Sequence, residues 1–371
     1  MKPAPIGCKV SILLLLRCAG AASRSVSPPD AAALSPRGEA SQTCQADFER
    51  AHQLVAGSYS AYFDKVAERG RAKLEAVARL AAERVRGLDA ADTSCAVVLR
   101  EWLGAFEDGH LFLIEAEVLS TLIGGAGPSE SQVHFEQVSD SAVLLRIKSF
   151  YDPVEVANIV DENRGALESA RRLMIDLRGN SGGQDEAYEP LMDFIFTRPY
   201  EVLGDDVLAT ADNVAAWERM IPLLPTDMAP GQRQLVTGAV ARMRASLGQW
   251  VQLDADQSIV RPRVLERPEH VALFFDRGCA SSCEAFLLAA IQSDKVTTFG
   301  SHSAGVIDHG NVRFETLPSG EHALAWPTSR SRRLPEHPLD GVGIAPKVRI
   351  PPSELAHLDG TAMAAWSAAR R

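Results

Sequence analysis

Ser281 lies in Gly278-Cys279-Ala280-Ser281-Ser282-Cys283-Glu284, between the apolar run Val271 to Phe275 and a segment, Ser282 to Ile291, whose Phe286, Leu287 and Ala290 keep helical spacing. A serine at such a strand-to-helix turn is backed by the free amides of a helix N-terminus, the setting of a nucleophile elbow with half an oxyanion hole. The same residues also read as a helix cap, with Glu284 three positions on completing a capping box. A hydroxyl is a weak nucleophile and needs a base near its working pH, which points to histidine. His110 ends the turn Glu107-Asp108-Gly109-His110, and His302 lies in Gly300-Ser301-His302-Ser303-Ala304-Gly305 just after the elbow helix, so these are the rival bases. The loop Arg178-Gly179-Asn180-Ser181-Gly182-Gly183 follows the strand-like Leu173 to Leu177, and its backbone amides could complete an oxyanion hole. It matches neither nucleotide-binding fingerprint.

These groups need a scaffold. Strands near Val133–Val138 and Ala142–Ser149, a helix over Val154–Ala170 and the strand Leu173–Leu177 form a βαβ unit, and the elbow strand extends the same sheet. The fold class is therefore α/β. Ahead of it, three amphipathic stripes, Phe48 to Val66, Leu74 to Leu88 and Val98 to Phe106, predict an N-terminal helical domain over 44–107, leaving 108–371 as the core domain. Nearly a hundred residues separate Gly183 from Ser281, more than one crossover requires. The stripe Leu235, Ala239, Val240, Met243, Leu247, Trp250, Val251 makes about 204–262 a helical insertion. Past the elbow come strands at Lys295–Phe299, Val312–Leu317 and His322–Trp326, the segment Asp340 to Pro346, a last short strand and a helix over Ser353–Arg370.

A chain of 371 residues, 46% hydrophobic, can bury a substantial core. Its net charge of −10, with no Lys/Arg run interleaved with aromatics, excludes nucleic acid as the expected partner. Lys2 and Lys9, the apolar run Val10–Leu16 and Ala19-Gly20-Ala21-Ala22 fit a signal peptide over 1–22, followed by a Ser/Pro/Ala-rich linker over 23–43. Arg17 directly before Cys18 is wrong for a lipidated cysteine, and no later run is long enough to span a membrane. The expected location is periplasmic or extracellular. Without the leader, Cys44, Cys95, Cys279 and Cys283 remain, an even number suited to disulfides. Three pairings are possible; the economical one joins Cys44 to Cys95 and Cys279 to Cys283, whose helical spacing sets the Cα atoms about 6 Å apart. Buried free thiols are the alternative. No histidine pair stands at ligand spacing, so no metal and no cofactor is expected.

Four stretches in order, Asp108-Gly109-His110, 175–183 (IDLRGNSGG), 278–286 (GCASSCEAF) and 340–346 (DGVGIAP), resemble the tail-specific, or carboxyl-terminal processing, serine peptidases, a family that includes the tricorn core and retinoid-binding repeats. The resemblance covers roughly 95–351 and implies a crotonase/ClpP-like core sheet. One branch pairs the serine with a lysine; here Val306 stands in that place and cannot accept a proton. The tricorn-like branch implies a Ser-His-acid triad: Ser281 as nucleophile, His110 as base and Asp340 as acid, where that branch tends to carry glutamate. It further implies an oxyanion hole from Ser282 with Gly182 or Gly183, and leaves Asp176 and Arg178 to brace the loop. Only about 25 residues separate His110 from Phe135, too few for the PDZ domain that many members carry. The implied activity is that of an exported serine endopeptidase acting on peptides or unfolded proteins. The alternatives are a non-catalytic carrier of apolar ligands and an acyl-CoA enzyme, the latter at odds with export. Oligomeric state and cleavage preference are not written in the residues.

Overall fold

The computed structural model of the protein describes residues 36–88, 95–123, 131–224 and 230–369. The expected leader over 1–22 lies outside the described residues, as does the glycine-rich turn at 124–130. Six strands make the central sheet: β1 (Val133–Ser139), β2 (Ala142–Ile147), β3 (Arg172–Asp176), β4 (His270–Phe275), β5 (Val296–Gly300) and β6 (Val348–Arg349), in the spatial order β6-β5-β4-β3-β2-β1. From β2 to β6 every pair is parallel, and the β1–β2 hairpin closes the edge antiparallel.

Because side chains alternate along a strand, the central strands feed two cores. Leu173, Ile175, Val271, Leu273 and Phe275 pack with Phe286 and Leu287 of the elbow helix on one face. Met174, Ala272 and Phe274 pack with Phe299, Ile350 and Met363 on the other. Burial on both sides is why β4 reads as an unbroken apolar run. The register sets Asp176 of β3 beside Phe274 of β4, so the loops leaving their carboxyl ends meet. Ala280 N donates to the Asn180 carbonyl at 3.0 Å, and Gly179 N donates to Asp276 Oδ1 at 2.9 Å.

The crossover expected as one helix over 154–170 is two, Pro153–Glu162 and Arg164–Ser169. The chain breaks at Asn163, whose amide turns back to donate to the Ile159 carbonyl at 2.8 Å. Asp152 caps the first piece by accepting from Val154 N and Glu155 N, with Pro153 at the first helical position.

The N-terminal layer is built from α1 (Pro36–Ser58), α2 (Tyr62–Arg69), α3 (Arg71–Arg86) and α4 (Cys95–Gly104). Helix α1 begins inside the segment expected as a linker. The stripe from Phe48 to Val66 is broken between α1 and α2, where Ser60 N leaves the helix to donate to the Pro327 carbonyl at 3.1 Å. This layer is continuous with the body, since Trp102, Phe106, Leu324 and Trp326 belong to one apolar cluster. The Cys44–Cys95 disulfide ties α1 to α4.

The insertion is not the all-helical unit expected over 204–262. Helices Ala211–Met220 and Pro230–Ala245 are flanked by strands Asp205–Leu208 and Trp250–Gln252, which pair with each other; the first also pairs with Ser329–Ser331, itself bonded to His309–Gly310. The stripe that continued to Val251 is cut at Gly248, which takes φ +82° and donates its amide to the Ala209 carbonyl at 2.7 Å. Trp250 and Val251 are therefore strand residues. Val207, Trp217, Val236 and Met243 give the insertion its own core. Among the described residues no helix is long and apolar enough to cross a membrane.

Candidate active site

Ser281 joins the end of the β4 loop to the elbow helix, Ser282–Ala290, and holds φ +56°, ψ −120°. That conformation is costly for a residue with a Cβ, and such strain concentrates at functional sites. The capping box expected from Ser281 and Glu284 is present, and the Glu284 amide also donates to the Ser281 carbonyl at 2.8 Å. Cys279 and Cys283 form a disulfide across the turn, Cα to Cα 5.4 Å, with both cysteines buried. Both expected pairings are thus present.

The glycine loop packs directly on the elbow. A Cβ at Gly182 would lie 2.6 Å from the Ala280 carbonyl oxygen, and one at Gly183 would lie 2.2 Å from the Phe150 carbonyl carbon. Their φ values of +92° and +144° make the same demand for glycine. The two amides differ in what they do. Gly182 N donates to Asn180 Oδ1 at 2.9 Å, whereas Gly183 N and Ser282 N meet no acceptor among the described residues. Ser282 Oγ donates to the Gly183 carbonyl at 2.8 Å, fixing the two segments against each other. Asp176 takes Arg178 in a two-pronged pair, and that guanidinium also donates to the Leu355 and Leu358 carbonyls, which anchors the loop to the C-terminal helices.

Glu284 does more than cap a helix. Fully buried, it accepts from Ser303 Oγ at 2.5 Å and Gly305 N at 2.8 Å through Oε1, and from Val306 N at 2.9 Å and Ser281 N at 3.3 Å through Oε2. Ser303 Oγ in turn accepts from Ile344 N at 2.6 Å. One carboxylate therefore binds the elbow to the 303–306 loop and, through Ser303, to the 340–346 segment. Gly343 can approach because it has no side chain, since its Cβ would lie 2.3 Å from the Ser303 carbonyl oxygen. Val306 lends its amide to Glu284 and its side chain to the histidine turn. A Cβ at Gly109 would fall 2.7 Å from Val306 Cγ1.

His110 is 8% exposed and lines a cavity of about 360 Å³ together with Ser281 and Ser282. Asp108 Oδ1 accepts from His110 N at 2.8 Å, and Tyr59 donates its hydroxyl to Asp108 Oδ2 at 2.6 Å. Burial, followed by the Asp108 charge, pushes the Tyr59 hydroxyl well above its ordinary pKa. His110 Nδ1 lies 2.7 Å from the His309 carbonyl oxygen. A carbonyl only accepts, so Nδ1 carries the proton and Nε2 is left with the lone pair.

Asp340 is not where a direct triad acid would stand. Its Oδ1 accepts from Ile307 N and Asp308 N, both at 2.9 Å, and its Oδ2 lies 3.7 Å from His309 Nδ1. Among the described residues it makes no hydrogen bond to His110. The shorter aspartate fits here because it must reach backbone amides, and Asp308 Oδ2 returns the arrangement by accepting from Leu339 N and Asp340 N, both at 2.8 Å. His309 is buried, and its Nε2 lies 3.1 Å from Asp64 Oδ2 of α2. Burial opposes charge on this ring, but Asp340 and Asp64, with Asp108 beyond them, outweigh it and raise its pKa to about 9. Asp64 is lowered chiefly by His309. Asp340 is lowered too, its burial outweighed by the same imidazolium. The 3.7 Å separation is an ion pair rather than a hydrogen bond.

His302 does not line the cavity; its ring lies 3.3 Å from an Arg349 guanidinium nitrogen. Sequence reasoning missed His309 altogether, and the only available signal was a histidine before Gly310 in a short edge strand. The cavity walls were equally hidden. One follows the elbow helix through Ala285, Leu288 and Gln292; the other is built from Glu201, Leu203 and Asp205. Gln292 closes its end by accepting from Glu201 N at 2.8 Å and donating to the Glu201 carbonyl at 2.9 Å.

Comparison with solved structures places this architecture among known ones. Mature CPAF aligns with a TM-score of 0.60 over 89% of this chain and 96% of its own, at 12% identity. A lipoprotein from Streptococcus agalactiae aligns at 0.50 over 94% and 100%, at 13% identity. The photosystem II D1 C-terminal processing protease aligns at 0.37 over 63% and 54%, at 12% identity. At these identities the likeness to the first two is one of fold. Comparison with curated protein sequences finds no match. Residues 141–350, more than half of the chain, match peptidase family S41, so the chain belongs to that family and is a serine-type peptidase.

Proposed function

We propose that the protein is an exported serine endopeptidase that cleaves peptides or unfolded proteins through an acyl-enzyme on Ser281, with His110 as general base. The observation that carries this reading is the shared cavity: it is lined by a strained serine at a helix N-terminus and by a histidine whose Nδ1 is held by a carbonyl, so that Nε2 is the proton acceptor. His110 Nε2 takes the hydroxyl proton as Ser281 Oγ attacks the scissile carbonyl carbon. The amides of Ser282 and Gly183, both without another acceptor among the described residues, receive the oxyanion. Collapse breaks the C–N bond, and His110 returns the proton to the leaving amine. Water then repeats the sequence on the ester and frees Ser281.

Two disulfides and the apolar leader support export. Val202, Leu203 and Leu288 stand beside Asp185, Glu201 and Asp205 in the cavity wall, and these apolar side chains are what keep an apolar-ligand carrier as the second reading. A fluorophosphonate probe tests the reading. Wild type should be labelled and Ser281→Ala should not; His110→Ala should lose labelling while His302→Ala keeps it. Failure of a folded wild type to react would favour the carrier.

A further inference from the structure

We propose that His309 is a positioning residue for His110: its imidazole, held between Asp64 of the N-terminal helices and Asp340 of the 340–346 segment, fixes the main-chain carbonyl that orients the base. The inference rests on the serine peptidase reading of the same cavity.

The contact that selects the His110 tautomer is made by a backbone oxygen, so it depends on how the peptide after His309 is held. Three restraints hold it. The strand His309–Gly310 is only two residues long and is paired on one side, to Ser329–Arg330. Asp340 Oδ1 grips the chain just before it through the amides of Ile307 and Asp308. The ring itself lies 3.1 Å from Asp64 and 3.7 Å from Asp340. A two-residue strand at a sheet edge is otherwise a weak anchor, because few backbone bonds define it.

The same arrangement couples the base to the N-terminal helical layer. Asp64 comes from α2 and is largely exposed, yet it reaches a buried ring on the core. Around the other side of His110, Tyr59 holds Asp108, Arg69 pairs with Glu107 at 2.7 Å, and Lys65 Nζ donates to the Glu107 carbonyl at 3.5 Å. His110 is thus gripped fore and aft by one helical pair, and His309 is the aft grip.

The groups facing the ring set the direction of its pH response. Asp64 faces it from α2, Asp108 from the histidine turn and Asp340 from the loop, while Lys65 of α2 acts on the Asp64 and Asp340 carboxylates. Arg330 lies opposite in the paired strand, and Asp308, next in sequence, is paired with Arg333 at 3.1 Å. Carboxylates predominate, so the cationic ring persists at neutral pH and discharges in the alkaline range. The grip should weaken there, and removal of Asp64 should bring that weakening to lower pH.

The test is the rate at which a fluorophosphonate labels Ser281 in the full chain, followed against pH for wild type, His309→Ala and Asp64→Ala, with thermal unfolding as the check on folding. His309→Ala should slow labelling at pH 7.5 by about a hundredfold, the order expected when a catalytic group is displaced by about 1 Å. Asp64→Ala, a change at an exposed side chain, should move the alkaline fall of wild type down by about a pH unit. A role in stability alone would lower the unfolding temperature and leave the pH profile in place. The proposal is overturned if folded His309→Ala labels within twofold of wild type, or if Asp64→Ala retains the wild-type profile. Should His309→Ala not fold, the Asp64→Ala profile decides alone. No labelling of wild type would overturn the peptidase reading and this inference with it, whereas normal wild-type labelling with unmoved variants overturns this inference only.

Discussion

Replacing Glu284 by glutamine changes one atom and should disable the site. The carboxylate accepts four hydrogen bonds with no solvent contact, two at each oxygen. A glutamine keeps one acceptor oxygen and presents an NH2 to the other pair of donors. If the NH2 faces Val306 and Ser281, two backbone amides are opposed by a donor. If it faces Ser303 and Gly305, the serine can rotate to accept, but the Gly305 amide stays buried and unpaired, and the Ser303 proton must find a new acceptor. A bond to a charged group contributes about 1.5–3 kcal/mol, and a stranded buried donor costs about 1–3 kcal/mol. Either orientation forfeits two such terms, so about 3–5 kcal/mol of stability should go, near the upper range for a single substitution. Urea unfolding of Glu284→Gln against wild type measures it, with fluorophosphonate labelling in the remaining native range. A loss below about 1 kcal/mol, with Ser281 still reactive, would refute the claim that this carboxylate binds the elbow to the 303–306 loop.

The remaining predictions concern the oxyanion loop, the disulfides and pH. Gly183→Ala, whose Cβ would collide with the Phe150 carbonyl, should abolish turnover and lower stability, as seen by peptide hydrolysis and thermal melting. By the entropy of the loops they close, loss of the Cys44–Cys95 disulfide, spanning 51 residues, should cost about 4 kcal/mol, and loss of Cys279–Cys283, spanning 4, about 2 kcal/mol. Chemical denaturation of the two paired Cys→Ser variants checks that order. His309 has a raised folded pKa, so its contribution is full below the unfolded value of 6.5 and disappears as pH rises through about 9. That amounts to about 3 kcal/mol lost between pH 6.5 and 10. His309→Gln should flatten the alkaline side of the stability profile.

What could be read from residue order was whatever repeats locally. The apolar run of β4, the turn carrying Ser281 and the paired glycines before Gln184 each advertise a conformation, because glycine or a buried strand leaves few alternatives. The pairing of Cys279 with Cys283 was one of three that the residue order allowed, and it forms although Cys279 lies in the turn before the elbow helix. The insertion misled because Trp250 and Val251 extend the helical period by chance, and nothing but the single Gly248 marks the change to strand. The contacts of Asp340 were hidden for a different reason. Its motif position gives its neighbourhood, but which partner a carboxylate takes depends on long-range contacts: Asp64 and Asp340 meet His309 from positions 276 residues apart. Tertiary pairing of that range leaves no local trace.

The central claim is that Ser281 becomes acylated with His110 as its base. Incubation of the protein with an activated peptide ester, an acid quench and mass spectrometry of the peptide containing residues 278–286 would test it most directly. The account predicts an acyl group on Ser281 in wild type and its absence in His110→Ala. A folded wild type that turns over the ester with no adduct at Ser281, or an adduct that forms equally well in His110→Ala, would contradict it.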